Sequence, residues 1–317
     1  MNGILIVDKP SGCTSYQVVK RVQKILKVKK VGHGGTLDPL ATGVLPLFLN
    51  RATKLVPLLM NGIKRYRATL KLGVETDTLD REGNIITESA RLPEDHQHII
   101  RTFDSFKGTI EQTPPMFSAL KVHGIPLYKL ARKGITLERT ARKIQIYDLT
   151  VIEISLPLIT FEVCCSPGTY VRTLCADIGK RLGCGAHLVE LTRLQSGNFL
   201  IDDSLSLDQL HRLVAHNSVQ ENLYSLAESF KTFPQIIVDA HTITTLKRSR
   251  TIPVAHLTHL SLPPMEKGAV VKVLCQEDHL IALIQSLISM RDLPTLSAST
   301  SAWKLVCLFN PRDNTLH

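Results

Sequence analysis

Apolar positions change period several times along the chain, and each change marks an element. GILIV, residues 3–7, is continuously apolar and breaks at DKPSG, which reads as a buried strand running into a turn. In TSYQVVKRVQKILKV the period lengthens: Val18, Val19, Val22, Ile25 and Leu26 share a helical stripe, with Lys20, Arg21, Lys24 and Lys27 mostly off it. Thr14 or Ser15 is the expected N-cap. KRYRATLKLG then alternates, with Tyr66, Ala68, Leu70 and Leu72 on one face and Arg65, Arg67, Thr69 and Lys71 on the other. That is a half-buried strand with a basic outer face. An acidic loop, ETDTLDREGN, leads to a helix expected over roughly 94–106. Strands are expected near 144–154 and 158–165. After SPGT, YVRTLCADIGKRLG reads as a helix with Thr169 as N-cap and Gly183 as its stop, and Ser206 begins a further helix, SLDQLHRL.

Three stretches break this regularity. GHGGTLDPLATGVLP, residues 32–46, is too rich in Gly and Pro for a regular helix or a central strand and is expected to be a loop around Asp38. On its own it fits a structural Asx-turn and an active-site loop equally well. Residues 113–143 are basic and punctuated by Pro and Gly, which suits a projecting arm. Composition shifts at Phe233-Pro234; beyond it IIVDA, AVVKVLC, HLIALIQ and AWKLVCLF read as short strands, and LSASTS as a loop. The division expected is therefore 1–235 and a small β-rich domain over 236–317.

Charge narrows the class of partner. The net charge is +10, and residues 1–72 hold thirteen Lys and Arg against only Asp8 and Asp38. Residues 111–147 form a second basic block, with seven against two. Two such blocks suit a polyanion, above all nucleic acid, although a solvated lysine-rich face would give the same counts. The seven cysteines include an adjacent pair and no CxxC, which argues against a zinc site or a disulfide framework and for a reducing compartment. GILIV is too short for a signal peptide, and no apolar run reaches membrane-spanning length. The reading is a cytoplasmic protein with no membrane association.

GHGGTLDPLATGVLP, KRYRATLKLG, SALKVHGIPLYKLARKG and SPGTYVRTLCADIG…CGAH together resemble the TruB family of tRNA pseudouridine synthases, in that family's order, over residues 3 to about 210. The resemblance implies an α+β pseudouridine-synthase fold: a mixed, largely antiparallel sheet with surrounding helices, plus a small C-terminal domain that is PUA-like or related. It also implies isomerisation of uridine to pseudouridine in the T-arm of tRNA, at the position numbered 55. Breaking C1′–N1 and joining C1′ to C5 changes no oxidation state, so neither cofactor nor metal is expected. An extruded base and an ionised carboxylate are.

The roles of single residues follow from the same resemblance. Asp38 takes the place of the family's aspartate; attack on the sugar carbon, addition to C6 and removal of the C2′ proton all remain open. Arg172 faces that carboxylate and is expected to lower its pKa and keep it ionised. Tyr66 stacks on the uracil, although periodicity alone would make it a core aromatic, and Tyr170 forms a pocket wall. His33 wedges into the RNA loop in place of the flipped nucleotide. Lys9, Lys20 and Lys121 are expected to contact phosphates. The resemblance implies tRNA, through its T-arm, as the partner, and a monomer that requires no protein partner is expected. A guide-dependent H/ACA-type subunit and a non-catalytic tRNA chaperone are the rival readings; the Asp38, Tyr66 and Arg172 set would be unnecessary in the chaperone.

Overall fold

Alternation in the sequence becomes strands, and the capped amphipathic stretches become helices. The computed structural model of the chain describes all residues except 123, 227, 232, 257–261, 263, 276–279 and 310–317. His123 of the expected arm and His279 of the expected strand HLIALIQ thus lie outside the described residues. The chain divides into two compact units, a body of Ile6–Leu47 and Leu55–Ala215, and a second unit of Met1–Leu5, Phe48–Lys54 and 216–317.

The elements that build the site are β1 (Gly3–Lys9), α1 (Ser15–Leu26), β2 (Thr42–Leu49), β3 (Lys64–Leu72), α2 (His96–Asp104), β4 (Gly108–Gln112), β5 (Arg142–Ser155), β6 (Leu158–Cys165), α3 (Val171–Arg181), β7 (Ala186–Ser196) and α4 (Leu207–Ala215). They form one sheet in the order β1-β2-β7-β3-β6-β5-β4. β7–β3, β3–β6, β6–β5 and β5–β4 pair antiparallel, whereas β2 and β7 run parallel at Thr42–Thr192 and Gly43–Arg193. This is the mixed, largely antiparallel sheet expected. Tyr66, Ala68, Leu70 and Leu72 of β3 share a core with Ile99 and Phe103 of α2 and Leu174 and Ile178 of α3, so both helices pack on that face. Phe103 meets Phe161 of β6 edge-to-face at 5.3 Å. On the opposite face Arg67 pairs with Glu162 of the neighbouring strand at 2.8 Å.

α1 starts at a capping box between Thr14 and Gln17. α2 is capped by Asp95, and α4 by reciprocal bonds between Ser206 and Gln209. Gly183 follows α3 with φ +79°, as its stop requires. Residues 113–143 hold a short ribbon, Lys121–Val122 against Ile125–Pro126, and a one-turn helix, Leu127–Ala131.

Two expectations are corrected. Thr169 is not the cap of α3: the N-cap is Tyr170, without a side-chain cap bond. Its N–H donates instead to Gln112 Oε1 of β4, 2.7 Å away, while the Thr169 hydroxyl donates to Ser166 O. Nor is the Gly- and Pro-rich stretch all loop, because TGVLP opens the buried strand β2. Gly43 stands at φ +97°, and a Cβ there would lie 2.3 Å from Arg193 O, so glycine is what lets β2 approach β7. Pro46 has no N–H to give, but its carbonyl accepts from Gly34 N at 2.8 Å.

The second unit is β-rich. Its sheet orders Gln235–Ile237, Val270–Leu274, Leu280–Ser286, Ser301–Leu308 and Thr251–Pro253. A helix, Ala240–Ser249, capped by Asp239, was not expected from the sequence. Ile236, Leu246, Val273, Ile284 and Trp303 form its core.

Candidate active site

The backbone around Asp38 is fixed through its neighbours in sequence. Ser15, the first residue of α1, exchanges two hydrogen bonds with Leu37: its Oγ accepts from Leu37 N at 2.9 Å and donates to Leu37 O at 3.2 Å. On the other flank the Lys9 ammonium donates to the carbonyls of Pro39 (3.1 Å), Pro10 (2.9 Å) and Cys13 (2.6 Å). Asp8 Oδ1 accepts from Gly43 N at 3.0 Å. The end of β1 therefore clamps the loop on the far side of Asp38. Lys9 is fully buried, so it is a brace for this loop and not the outward phosphate contact expected of it.

Arg172, in the first turn of α3, reaches the carboxylate. Its Nε lies 2.9 Å from Asp38 Oδ2, and Nη2 donates to Oδ1 at 3.2 Å. The remaining donors go to Thr78 O (3.0 Å) and Phe117 O (2.7 Å), and Nη1 lies 3.4 Å from Asp80 Oδ2. The guanidinium is thus shared between two carboxylates and two carbonyls, with only 4% of its side chain exposed, whereas Asp38 keeps 34% open to the cleft. Burial pushes the Asp38 carboxyl above its ordinary range. Arg172 pulls it back and Asp80 opposes that pull. Arg172 lowers this pKa, as expected of it, but desolvation is the larger effect and leaves the net shift upward.

Two cavities meet at this pair. One, of about 290 Å³, is lined by Asp38, Arg172, Tyr66, Tyr170, Lys64 and Arg193 among others. Tyr66 is nearly buried on β3, opposite Arg193 in the register of β7. Arg193, itself 1% exposed, donates to Val44 O at 2.7 Å and Gly35 O at 3.1 Å. Lys64 donates to Met60 O and Gly62 O, both at 3.0 Å. Burial, then the charge of Arg193, lowers its pKa to about 8.

The other cavity, of about 520 Å³, is lined by Asp38, Arg172, His33, Tyr16, Tyr128 and Arg132 among others. His33 Nδ1 is buried there without a partner. Burial, then Arg193, holds the imidazole below its usual pKa, which favours the neutral ring. Lys20 lies outside both cavities, exposed, with its ammonium over the Tyr16 ring at 5.5 Å. Lys121 is exposed on the arm. Asp38, Arg172, Tyr66, Tyr170 and His33 are thus brought to one cleft, and Lys9, Lys20 and Lys121 are not.

Asp80, Lys64 and Arg193 escaped the sequence reading. Asp80 sits in what reads as a solvated acidic loop, yet it is 4% exposed, with its carboxylate on the Thr78 hydroxyl (2.6 Å) and Glu82 N (3.1 Å). The signal that could have found Lys64 is its i, i+2 relation to Tyr66, which puts both on the inner face of β3.

The fold, with one carboxylate held at the junction of two cavities, defines the class: a pseudouridine synthase. It matches the crystal structure of a Cbf5–Nop10–Gar1 complex with a TM-score of 0.75 and 28% identity, covering 98% of this chain and 86% of that one. The model for the N-terminal domain of TruB family pseudouridylate synthases matches residues 23–171, and that for the tRNA pseudouridylate synthase B C-terminal domain matches 172–230. The tRNA pseudouridine synthase B of Clostridium tetani is 43% identical over 285 residues, 90% of this chain and 96% of its own length. That of Syntrophus aciditrophicus is 40% identical over 313 residues, 98% of this chain and all of its own. The chain belongs to the TruB family of pseudouridylate synthases.

Proposed function

We propose that this protein, acting alone, isomerises uridine to pseudouridine at position 55 in the T-arm of tRNA, with Asp38 as the reacting carboxylate. The observation that carries the reading is the Asp38–Arg172 pair, 2.9 Å apart at the junction of the two cavities. An extruded uridine entering there brings its sugar to the carboxylate and its base between Tyr66 and Tyr170. Arg172 orients Asp38 and opposes the desolvation that would protonate it. His33, neutral and facing the second cavity, fills the gap the base leaves. Lys20, Lys121 and the other exposed cations of the arm hold phosphates. Functionally we assign residues 1–235, with the arm at 113–143, to catalysis and 236–317 to a PUA-like RNA-binding module. The setting is cytoplasmic and the active form a monomer.

One observation favours a guide-dependent reading: the solved Cbf5 relative sits in a complex with Nop10 and Gar1. Higher identity to relatives named for tRNA modification, 40–43% against 28%, favours stand-alone action. The test is purified protein alone with an unmodified tRNA transcript tritiated at uridine C5, because replacing C5–H by C5–C1′ releases the label. Release of one equivalent, lost when the T-loop uridine is replaced, supports the reading. No release without added protein or guide RNA overturns it.

A further inference from the structure

The 290 Å³ cavity is electrically lopsided. Where it meets the second cavity, Asp38 is matched by Arg172. Toward Tyr66 lie two more cations, Lys64 and Arg193, 7% and 1% exposed, and among the described residues neither has a carboxylate partner. Their donors go to neutral carbonyls, those of Met60 and Gly62 for Lys64 and of Val44 and Gly35 for Arg193. Enclosing a cation without an anion is costly, so two such cations on one cavity wall call for a ligand that supplies negative charge.

Resting on the pseudouridine-synthase reading, we infer that Lys64 and Arg193 form an electrostatic cradle for the uracil anion released when the glycosidic bond breaks. In a heterolytic route the C1′–N1 electron pair leaves with the base. The sugar is left either bonded through C1′ to Asp38 or, after Asp38 takes the C2′ proton, as an enol ether. In both cases the departing base carries one negative charge spread over N1, O2 and O4. It is held until C5 bonds to C1′, either displacing the Asp38 carboxylate or with Asp38 returning its proton to C2′, and the C5 proton then passes to solvent. Lys64 keeps a third N–H beyond the two given to Met60 O and Gly62 O. Arg193, opposite Tyr66 in the strand register and lining the same cavity, adds its charge beside the ring that stacks on the base. Fixed donors in a water-excluding site stabilise such developing charge without reorganising.

The test compares the wild type, Lys64→Met and Lys64→Arg on full-length transcripts carrying uridine or 5-fluorouridine at the target. Consumption of the target nucleotide is measured in single turnover, and affinity by filter binding. Fluorine acidifies the departing base, so its anion needs less help. Lys64→Met should lose roughly 10²–10³-fold on uridine, at least ten times less on 5-fluorouridine, and little affinity. Lys64→Arg should recover most of the rate. The wild-type rate should also fall as pH rises through about 8, and Lys64→Arg should not show that fall. Equal losses on the two bases, or a Lys64→Arg variant as slow as Lys64→Met with the same melting temperature as wild type, overturns the cradle. A wild type inactive on uridine would instead overturn the functional reading.

Discussion

Replacing Arg172 by lysine keeps the charge beside Asp38 and removes the fork. The guanidinium serves both oxygens of Asp38, Thr78 O and Phe117 O at once. An ammonium, with three N–H groups on one atom, cannot meet four acceptors arrayed in a plane. One or two charge-assisted hydrogen bonds are lost, at about 1.5–3 kcal/mol each. If the transition state feels roughly 3–4 kcal/mol of that, the rate falls about 10²–10³-fold. The pH dependence separates orientation from ionisation. Burial already raises the Asp38 carboxyl and Arg172 opposes it. Because the reaction needs the carboxylate, the rate falls as pH drops through that raised pKa. A poorer cation lifts the pKa further, so the acid limb of Arg172→Lys should move to higher pH and its defect should be worse at pH 5.5 than at pH 8. Single-turnover rates across that range, on a folded transcript, give the answer. A defect that is the same at every pH would leave Arg172 an orienting role only, and near-normal rates would refute the pair.

Asp38→Asn should abolish turnover yet leave the fold as stable as wild type at neutral pH or more so. A carboxyl whose folded pKa is raised binds protons more readily in the native state, so its ionised form costs stability as pH rises; calorimetry at pH 5 and 7.5 checks it. Asp80→Asn keeps an acceptor for Thr78 and Glu82 N but removes the charge behind Arg172. Its rate should fall about 10–100-fold at unchanged RNA affinity, and an unchanged rate would make Asp80 a turn residue. Replacing Lys121, Lys129 and Arg132, all exposed on the arm, should reduce the slope of log K against log salt by roughly two to three. An unaltered slope would place the RNA elsewhere.

The sequence is most legible where a local signal has a local cause. Thr14 and Gln17 lie one turn apart and cap each other, and the alternation of KRYRATLKL survives because β3 pairs on both sides over its whole length. β7 stayed hidden because two register shifts, at Leu188/Glu190 and Arg193/Gln195, break its period, and a buried arginine stands where an apolar residue would mark the inner face. The helix Ala240–Ser249 is rich in β-branched Thr and Ile, so propensity hides it and only the Asp239 cap betrays it. Lys9 and Asp80 failed for a shared reason. Each is charged and buried, and each is satisfied by groups distant in sequence or set by a folded loop: three carbonyls for Lys9, and Arg172 from α3 for Asp80. Composition reads such residues as solvent-facing because their partners exist only after folding.

The same charges give the cleft a direction. Asp38 and Asp80 share one guanidinium, so the carboxylate that faces the cavity is only partly neutralised and keeps its basicity. Beside Tyr66, Lys64 and Arg193 have no carboxylate partner among the described residues. In the pose proposed above, a uridine has the Asp38 carboxylate at its sugar and the two cations beside its base, so electron density would be pushed at the sugar and drawn off at the pyrimidine. Heterolysis of C1′–N1 needs that polarity. Rejoining through C5 needs the base to stay while it turns, and the cations that draw off its charge also hold it in place. The loop around Asp38 suits this division of labour. Its flanks are locked by Ser15, Lys9 and Asp8, while the Asp38 side chain, held by Arg172, stays a third exposed to the cleft.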